Sequence, residues 1–308
     1  MKIINLSEGF DPMQAEPHEL IKYEAFDFGG GEPHIKIESN WDVLEEIIIT
    51  TRVNNSRDFM LLCLTIEALD HMPNKGNLYL LLPYFPGARQ DRIMTEGEPL
   101  TVKLYATILN YFQLSSISIF DPHSDVVTAV LENCIVMSNH NFIYQVVEDI
   151  TNTHQFPRIL ISPDAGANKK SLKLLQSLHE DGFQMELVKC DKERDVTTGK
   201  ITNFTVNKED LEGEDCLIVD DICSNGGTFL GLAKELKKKG CGKLYLAVSH
   251  GEFGKDKFES IKNLTEVFDV IYCTDSIFTI DDAWYEAAYH YKKLSLKDKL
   301  KQFPLIQI

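Results

Sequence analysis

Asp220 and Asp221 stand together at the end of an apolar run, Leu217-Ile218-Val219, and a short turn then leads to Gly226-Gly227-Thr228 and the amphipathic run FLGLAKELKKKG. The order reads as strand, loop, helix. Glycines let a backbone approach an anion closely, successive N–H groups converge on it, and the helix that follows adds the positive end of its dipole. The two acids would repel that anion. Their task is therefore to accept hydrogen bonds from vicinal hydroxyls, or to bind a cation, beside the phosphate cradle. A phosphate with an adjacent diol describes a sugar phosphate. A lone Gly-Gly-Thr is ordinary turn chemistry; what separates this segment from an ordinary turn is the coincidence of strand, acid pair, glycine pair and helix. It lacks the Gly-Lys-Ser/Thr end of a Walker A loop and the Gly-x-Gly-x-x-Gly of a dinucleotide site.

The elements that must hold this loop follow from the pattern of the whole chain. Short apolar runs at residues 46–50, 77–82, 116–120, 158–161, 184–188, 216–219, 243–248 and 270–272 alternate with helical patterns such as FMLLCLTIEALDHM, LTVKLYATILNYF and SLKLLQSLHEDG. That alternation predicts an α/β protein with mainly parallel sheets flanked by helices. The 308 residues suit two domains, 1–148 and 149–308, divided where an amphipathic run ends in TNTHQFPR before a new strand. Both halves repeat strands that end in polar residues, as an internal duplication would. In open α/β sheets ligands gather at the carboxyl ends of strands, which draws attention to LLLPYFPGARQDR and IFDPHSD in the first half. In the second half ILISPDAGANKK, VKCDKERD and AVSHGEFG occupy the same kind of position.

A net charge of −16 argues against a protein that works on nucleic acid or on anionic membranes. An anionic substrate must then be met by locally concentrated cations. The seven cysteines include no Cys-x-x-Cys pair, and the N-terminal MKIINLSEGF has no signal-peptide core, so a cytoplasmic protein with reduced thiols is expected.

The strand-end motifs together resemble the ribose-phosphate pyrophosphokinases. Pro83-Tyr84-Phe85 with Ala88-Arg89-Gln90-Asp91-Arg92, Asp121-Pro122-His123-Ser124, Ser162-Pro163-Asp164-Ala165-Gly166, Lys192-Glu193-Arg194 and the acid-pair loop follow one another in that family's order. Phe28-Gly29-Gly30-Gly31-Glu32 and Ser249-His250-Gly251 extend the likeness from about residue 26 to about 276. The resemblance implies two tandem type I phosphoribosyltransferase-like domains, ATP on the first and ribose 5-phosphate on the second. It implies transfer of the β,γ-diphosphate of Mg-ATP to the sugar's 1-hydroxyl, giving phosphoribosyl diphosphate and AMP for nucleotide or NAD synthesis. By this likeness Phe28, Glu32, Arg89, Gln90, Asp91 and His123 serve ATP, and Lys192, Arg194 and His123 are catalytic. Asp220, Asp221, Ser224, Asn225, Gly226, Gly227 and Thr228 hold the sugar phosphate, while Asp121, His123 and Asp164 are candidate Mg2+ ligands, in part through water. Lys192 and Arg194 lie two apart, so an extended segment points both to one side. The resemblance also implies a homo-oligomer, dimer or hexamer, with Phe28 and Glu32 reaching a neighbour's nucleotide, and a C-terminal tail packing back on the first domain. A transferase that consumes phosphoribosyl diphosphate would need no ATP site, and a non-catalytic regulatory paralogue would be expected to lack some of His123, Asp164, Lys192 or Arg194. All four are present.

Departures from the family pattern mark a divergent, bacterial or phage-type branch. The segment after Asp91 reads Arg92-Ile93-Met94-Thr95-Glu96-Gly97-Glu98 where relatives carry several basic residues, and Ser224-Asn225 replaces a common Asp-Thr pair. Asp125 stands where phosphate-activated relatives present a small polar residue, and residues 38–46 supply no arginine. Activity independent of inorganic phosphate is expected. A plain structural role for Asp125 would be to cap the helix it precedes.

Overall fold

The computed structural model describes residues 1–39, 41, 44–194, 201–281, 283–286, 288 and 300–303. The chain divides into two compact units, the first built from Met1–Ser138 with Ser276–Thr279 and the second from Asn139–Asp275 with Ile280–Phe303.

The first unit runs β1 (Lys2–Asn5), β2 (Tyr23–Asp27), β3 (Pro33–Ile37), β4 (Glu45–Thr50), α1 (Ser56–Asp70), β5 (Lys75–Leu81), α2 (Thr101–Tyr111), β6 (Ser116–Phe120), α3 (Asp125–Val130) and β7 (Cys134–Met137). Its sheet has the order β1-β4-β5-β6-β7 with every pairing parallel, and β2 and β3 form a separate antiparallel hairpin. Ile47 and Ile49 of β4 and Leu62, Ile66 and Leu69 of α1 are almost wholly enclosed. Enclosing each such side chain is worth about 1.5–3 kcal/mol, and the spacing of the helical three fixes which face of α1 meets the sheet. The helix begins where the Asn55 side chain accepts the N–H of Asp58 at 3.0 Å.

The second unit runs α4 (His140–Thr153), β8 (Ile159–Ser162), α5 (Asn168–Glu180), β9 (Glu186–Arg194), β10 (Ile201–Val206), β11 (Cys216–Cys223), α6 (Gly227–Lys238), β12 (Leu244–Gly251), α7 (Lys257–Thr265), β13 (Val270–Thr274) and β14 (Leu300–Phe303). The sheet order is β10-β9-β8-β11-β12-β13-β14, parallel throughout except for the antiparallel β9–β10 pair. Strands β11 and β12 are buried along nearly their full length, as a central parallel strand covered on both faces must be. Phe229, Leu232, Ala233 and Leu236 form the buried stripe of α6.

Several strand limits depart from the sequence expectation. β11 does not stop at Val219: the parallel ladder with β12 carries it to Cys223, so Asp220 and Asp221 lie inside the strand, Asp220 opposite Val248. β9 likewise runs past residue 188 to Arg194, because its outer half pairs with β10, placing Lys192 opposite Phe204 and Arg194 opposite Ile201. The hairpin β2–β3 and the strands β1, β7, β10 and β14 were not among the expected elements. Four of the five residues of β2 are exposed, which removes the apolar alternation that announces a strand, whereas the alternation in β3, with Ile35 buried between His34 and Lys36, spans only five residues. Beyond β14, the expected packing of the C-terminal tail falls on residues 304–308, outside the described residues, as does the side chain of Arg194.

Candidate active site

In the first unit the ends of β5 and β6 leave the sheet side by side. Leu82 donates to the carbonyl of Ser118 and Phe120 to that of Pro83, each at 2.9 Å. The β5 loop is anchored by the buried Phe85 and Ala88, so Arg89 and Gln90 are left exposed at its crest. Gly87 permits the turn: its φ is +72° and an added Cβ would lie 2.9 Å from the Thr101 methyl. Asp91 then turns inward and is 9 % exposed, accepting from the Arg92 guanidinium at 3.1 Å. Burial pushes the Asp91 pKa upward, but hydrogen bonds from Ser124 and Arg92 and the nearness of His123 outweigh it and hold the carboxyl below its ordinary value. The structure thus brings Asp91 to His123 and Ser124.

Asp121 is buried, donates its N–H to the Met137 carbonyl at 2.9 Å and stands at φ +36°, a left-handed conformation that costs a non-glycine residue about 1–3 kcal/mol. Strain of this kind marks the strand end as a place where backbone direction matters. The Ser124 side chain, not Asp125, caps α3 by accepting the N–H of Val126 at 3.4 Å; Asp125 is the first helical residue. The capping role considered for Asp125 therefore belongs to its neighbour.

Phe28 and Glu32 close the β2–β3 turn, the Phe28 N–H donating to the Glu32 carbonyl at 2.9 Å. Phe28 is 53 % exposed, and its ring lies 5.2 Å from that of Phe26 and 5.4 Å from that of His34. Arg57 of α1 holds the base of the hairpin through Asp27 at 2.9 Å.

In the second unit the adjacent strands β9, β8 and β11 bring charged residues together. The Asp164 carboxylate accepts the N–H of Ala167 at 3.1 Å and forms a close ion pair with the Lys192 ammonium. Asp220 accepts the N–H of Asp221 at 3.0 Å. Burial, then the charges of Asp221 and Asp164, and a hydrogen bond with the Asp221 carboxyl push the Asp220 pKa well above the ordinary carboxylate value. Asp164, Lys192, Asp220 and Asp221, spread over 58 positions of sequence, thus form one cluster in which acids outnumber the cation. Among the described residues no group of three or more His, Cys, Asp or Glu side chains is arranged to hold a metal ion.

Residues 224–228 follow directly. Gly226 caps α6 in the left-handed conformation, φ +76°, and no side chain caps that helix. The first N–H groups of a helix without a side-chain cap are a ready site for an anion. An added Cβ at Gly226 would meet the Leu264 side chain at 3.0 Å, whereas one at Gly227 has nothing within 4 Å. Gly226 is thus required by the fold, whereas the fold itself leaves room for a side chain at Gly227. His250 is 1 % exposed and paired within β12, a packed position. The pairing of the Ser124 hydroxyl with Asp91 was not expected from the sequence; the turn after β12 was marked there by AVSHGEFG, but with no role for Phe253 or Gly254.

Residues 123–287, more than half of the chain, match the family of the phosphoribosyl transferase domain, and residues 14–112 match the N-terminal domain of ribose phosphate pyrophosphokinase. The ribose-phosphate pyrophosphokinase of Mycoplasma genitalium is 26 % identical over 283 residues, covering 90 % of this chain and 78 % of the relative. That of Mycoplasmopsis pulmonis is 29 % identical over 253 residues, covering 81 % and 73 %. In fold, the chain is similar to the crystal structure of phosphoribosylpyrophosphate synthetase from Mycobacterium smegmatis, with a TM-score of 0.76, 18 % identity, and coverage of 99 % of this chain and 94 % of that one. With the phosphoribosyl transferase domain preceded in order by the N-terminal domain of the pyrophosphokinases, the chain belongs to the ribose-phosphate pyrophosphokinase family.

Proposed function

We propose that the chain transfers the β,γ-diphosphate of ATP to the 1-hydroxyl of ribose 5-phosphate, releasing AMP, with ATP served by the first domain, residues 1–148, and the sugar phosphate by the second, residues 149–308. The observation that carries this reading is the convergence in the second unit of an acid pair, a lysine and a glycine loop at an uncapped helix start, within a chain that also has the pyrophosphokinase N-terminal domain. The N–H groups of residues 226–228 hold the 5-phosphate, with Ser224 and Asn225 supplying further polar groups. Asp220 and Asp221 accept the ribose hydroxyls, which replaces the like-charge contact between them with hydrogen bonds. The 1-hydroxyl oxygen forms its bond to the β-phosphorus as the bond from that phosphorus to the bridging oxygen breaks; AMP leaves with the bridging oxygen, and the hydroxyl proton passes to solvent. Catalysis of such a transfer is mostly positioning and neutralisation of charge, the part given to Lys192 and Arg194. Arg89 and Gln90, exposed on a loop whose root is rigid, hold the nucleotide together with Asp91 and His123.

Magnesium fits the oxygen donors present. It keeps most of its water and needs only one or two carboxylates beside substrate phosphates, and Asp164 already binds a cation, the Lys192 ammonium. In the second unit Asp164 would hold it, and the ion would neutralise charge on the migrating phosphates; His123 and Asp121 are separate candidates within the first unit. The exposed Phe28 ring and the Glu32 carboxylate suit an adenine, and we assign them to the nucleotide of a neighbouring subunit in a homo-oligomer. All seven cysteines are free, which suits the cytoplasm, and among the described residues no helix is long and apolar enough to cross a membrane. Incubation with ribose 5-phosphate and Mg-ATP should give AMP and phosphoribosyl diphosphate in one-to-one yield. AMP without the sugar product, or neither, would overturn the assignment.

A further inference from the structure

The phosphate loop rests on the turn that follows β12. Glu252 and Phe253 both donate their N–H groups to one acceptor, the carbonyl of Cys223, each at 3.0 Å. Cys223 is the last residue of β11 and the root of the loop. Two donors on one carbonyl hold that root more firmly than the parallel ladder alone, because the ladder ends there, with Cys223 opposite Gly251. Phe253 reaches this geometry at φ +53°, a conformation unusual for a residue with a side chain. Its ring is fully buried and occupies the space beside Gly251, where an added Cβ would lie 2.6 Å from the Phe253 ring. Burial of that ring offsets the backbone strain. Gly254 follows at φ +67°, and the Asn225 side chain lies directly over it, in the space a Cβ would need. The loop is therefore gripped at its root by the two N–H groups and at its crest by the seat of Asn225.

We infer that Phe253 and Gly254 are positioning residues for the sugar-phosphate site: they set the height of the loop over the helix start, acting through Cys223 and Asn225 without touching the substrate. The inference rests on the assignment of residues 224–228 to ribose 5-phosphate. A methyl group on Gly254 displaces the Asn225 carboxamide from its seat over the turn, and so moves a polar group that the loop offers beside the anion. A displacement of about 1 Å in a binding constellation commonly costs one to two orders of magnitude.

The test compares Gly254→Ala with Gly213→Ala, because Gly213 has a similar φ of +76° but no atom within 4 Å of an added Cβ, and so reports backbone strain alone. Ribose 5-phosphate and, separately, inorganic phosphate are titrated without nucleotide, KM is measured for both substrates, and thermal unfolding is recorded. Gly254→Ala should weaken ribose 5-phosphate about 10-fold or more while KM for ATP stays within about twofold, and Gly213→Ala should leave both unchanged. The double variant Asn225→Ala/Gly254→Ala should bind no worse than Asn225→Ala, since the residue through which Gly254 acts is gone. That pair decides the matter even if Gly254→Ala alone does not fold. Equal losses for ATP and sugar phosphate, multiplying losses in the double variant, or an equal loss in Gly213→Ala would overturn the inference. A parent protein that binds phosphate but not the sugar phosphate would overturn the substrate assignment, and the phosphate titrations of the variants would still decide the role of the turn; binding of neither would sink both.

Discussion

Lys192→Ala tests the heart of the proposed chemistry, because two effects of different size are expected and can be separated. Lys192 and Asp164 form an ion pair whose side chains are 22 % and 19 % exposed. Truncating a fully buried partner typically costs 3–5 kcal/mol and losing an exposed pair about 0–1, so this partly shielded pair corresponds to about 1–3 kcal/mol. The direction is reinforced by the surroundings: without the lysine, Asp164 loses its ion partner beside Asp220 and Asp221. A domain with a stability of about 5–15 kcal/mol remains overwhelmingly folded at 25 °C after such a loss, and thermal unfolding should move down by several degrees. Turnover should fall much further. Removal of one preorganised charge from a transferring group costs roughly 10²- to 10³-fold in rate, which a population that stays folded cannot explain. The assay is initial-rate formation of AMP across ribose 5-phosphate concentrations at saturating Mg-ATP, beside a melting curve of the same preparation. Turnover within about threefold of the parent would refute the catalytic role. So would a rise in KM for the sugar phosphate as large as the fall in rate, since that would place Lys192 in ground-state binding.

Other outcomes follow from the same geometry. Asp220 has a folded pKa raised above its ordinary value of 3.8; its contribution to stability is therefore complete below that value and lost as pH rises through the folded pKa. Asp220→Asn should flatten this part of the melting-temperature profile of the ligand-free protein and unfold at a higher temperature than the parent at neutral pH, while weakening ribose 5-phosphate and sparing ATP; parallel profiles would remove the argument. Gly227→Val should fold and lose ribose 5-phosphate, because its space is open, whereas Gly226→Val should melt lower, because φ +76° and Leu264 oppose it; circular-dichroism melts and sugar-phosphate titration read the two. Glu32→Ala mixed with Arg89→Ala should regain part of the activity after subunit exchange, and no regain despite exchange shown by native mass spectrometry would count against a shared nucleotide site. Inorganic phosphate should not raise turnover at fixed ionic strength, since Asp125, exposed at the first turn of α3, would repel it by about 1 kcal/mol; a several-fold rise that Asp125→Ser did not enlarge would place an anion elsewhere.

What the sequence made legible is what local patterning controls. The limits of β6, the stripe of α6 and the glycine loop were all readable because periodicity and turn chemistry act within a few residues. The exposed strand β2 left no such trace, although the motif Phe28 to Glu32 that follows it was recognisable by family likeness. The lengths of β9 and β11 escaped because a strand continues for as long as a neighbour pairs with it, and neither the turn back into β10 nor the distant partner β12 is announced by the strand's own residues. Nor could local patterning place Lys192 on Asp164, 28 residues apart, or show that Ser124 and Asp91 share a hydrogen bond. These long-range pairings carry physical meaning beyond the motifs themselves. Asp164, Asp220 and Asp221 are individually plausible as acids near strand ends, yet gathered in one place they oppose one another's charge, and that repulsion adds to burial in raising the Asp220 pKa. A site whose acids repel one another is relieved by a ligand that brings hydroxyls and a cation together. Under the proposed function, this cluster would favour a sugar phosphate over a bare phosphate and so give specificity to the glycine loop.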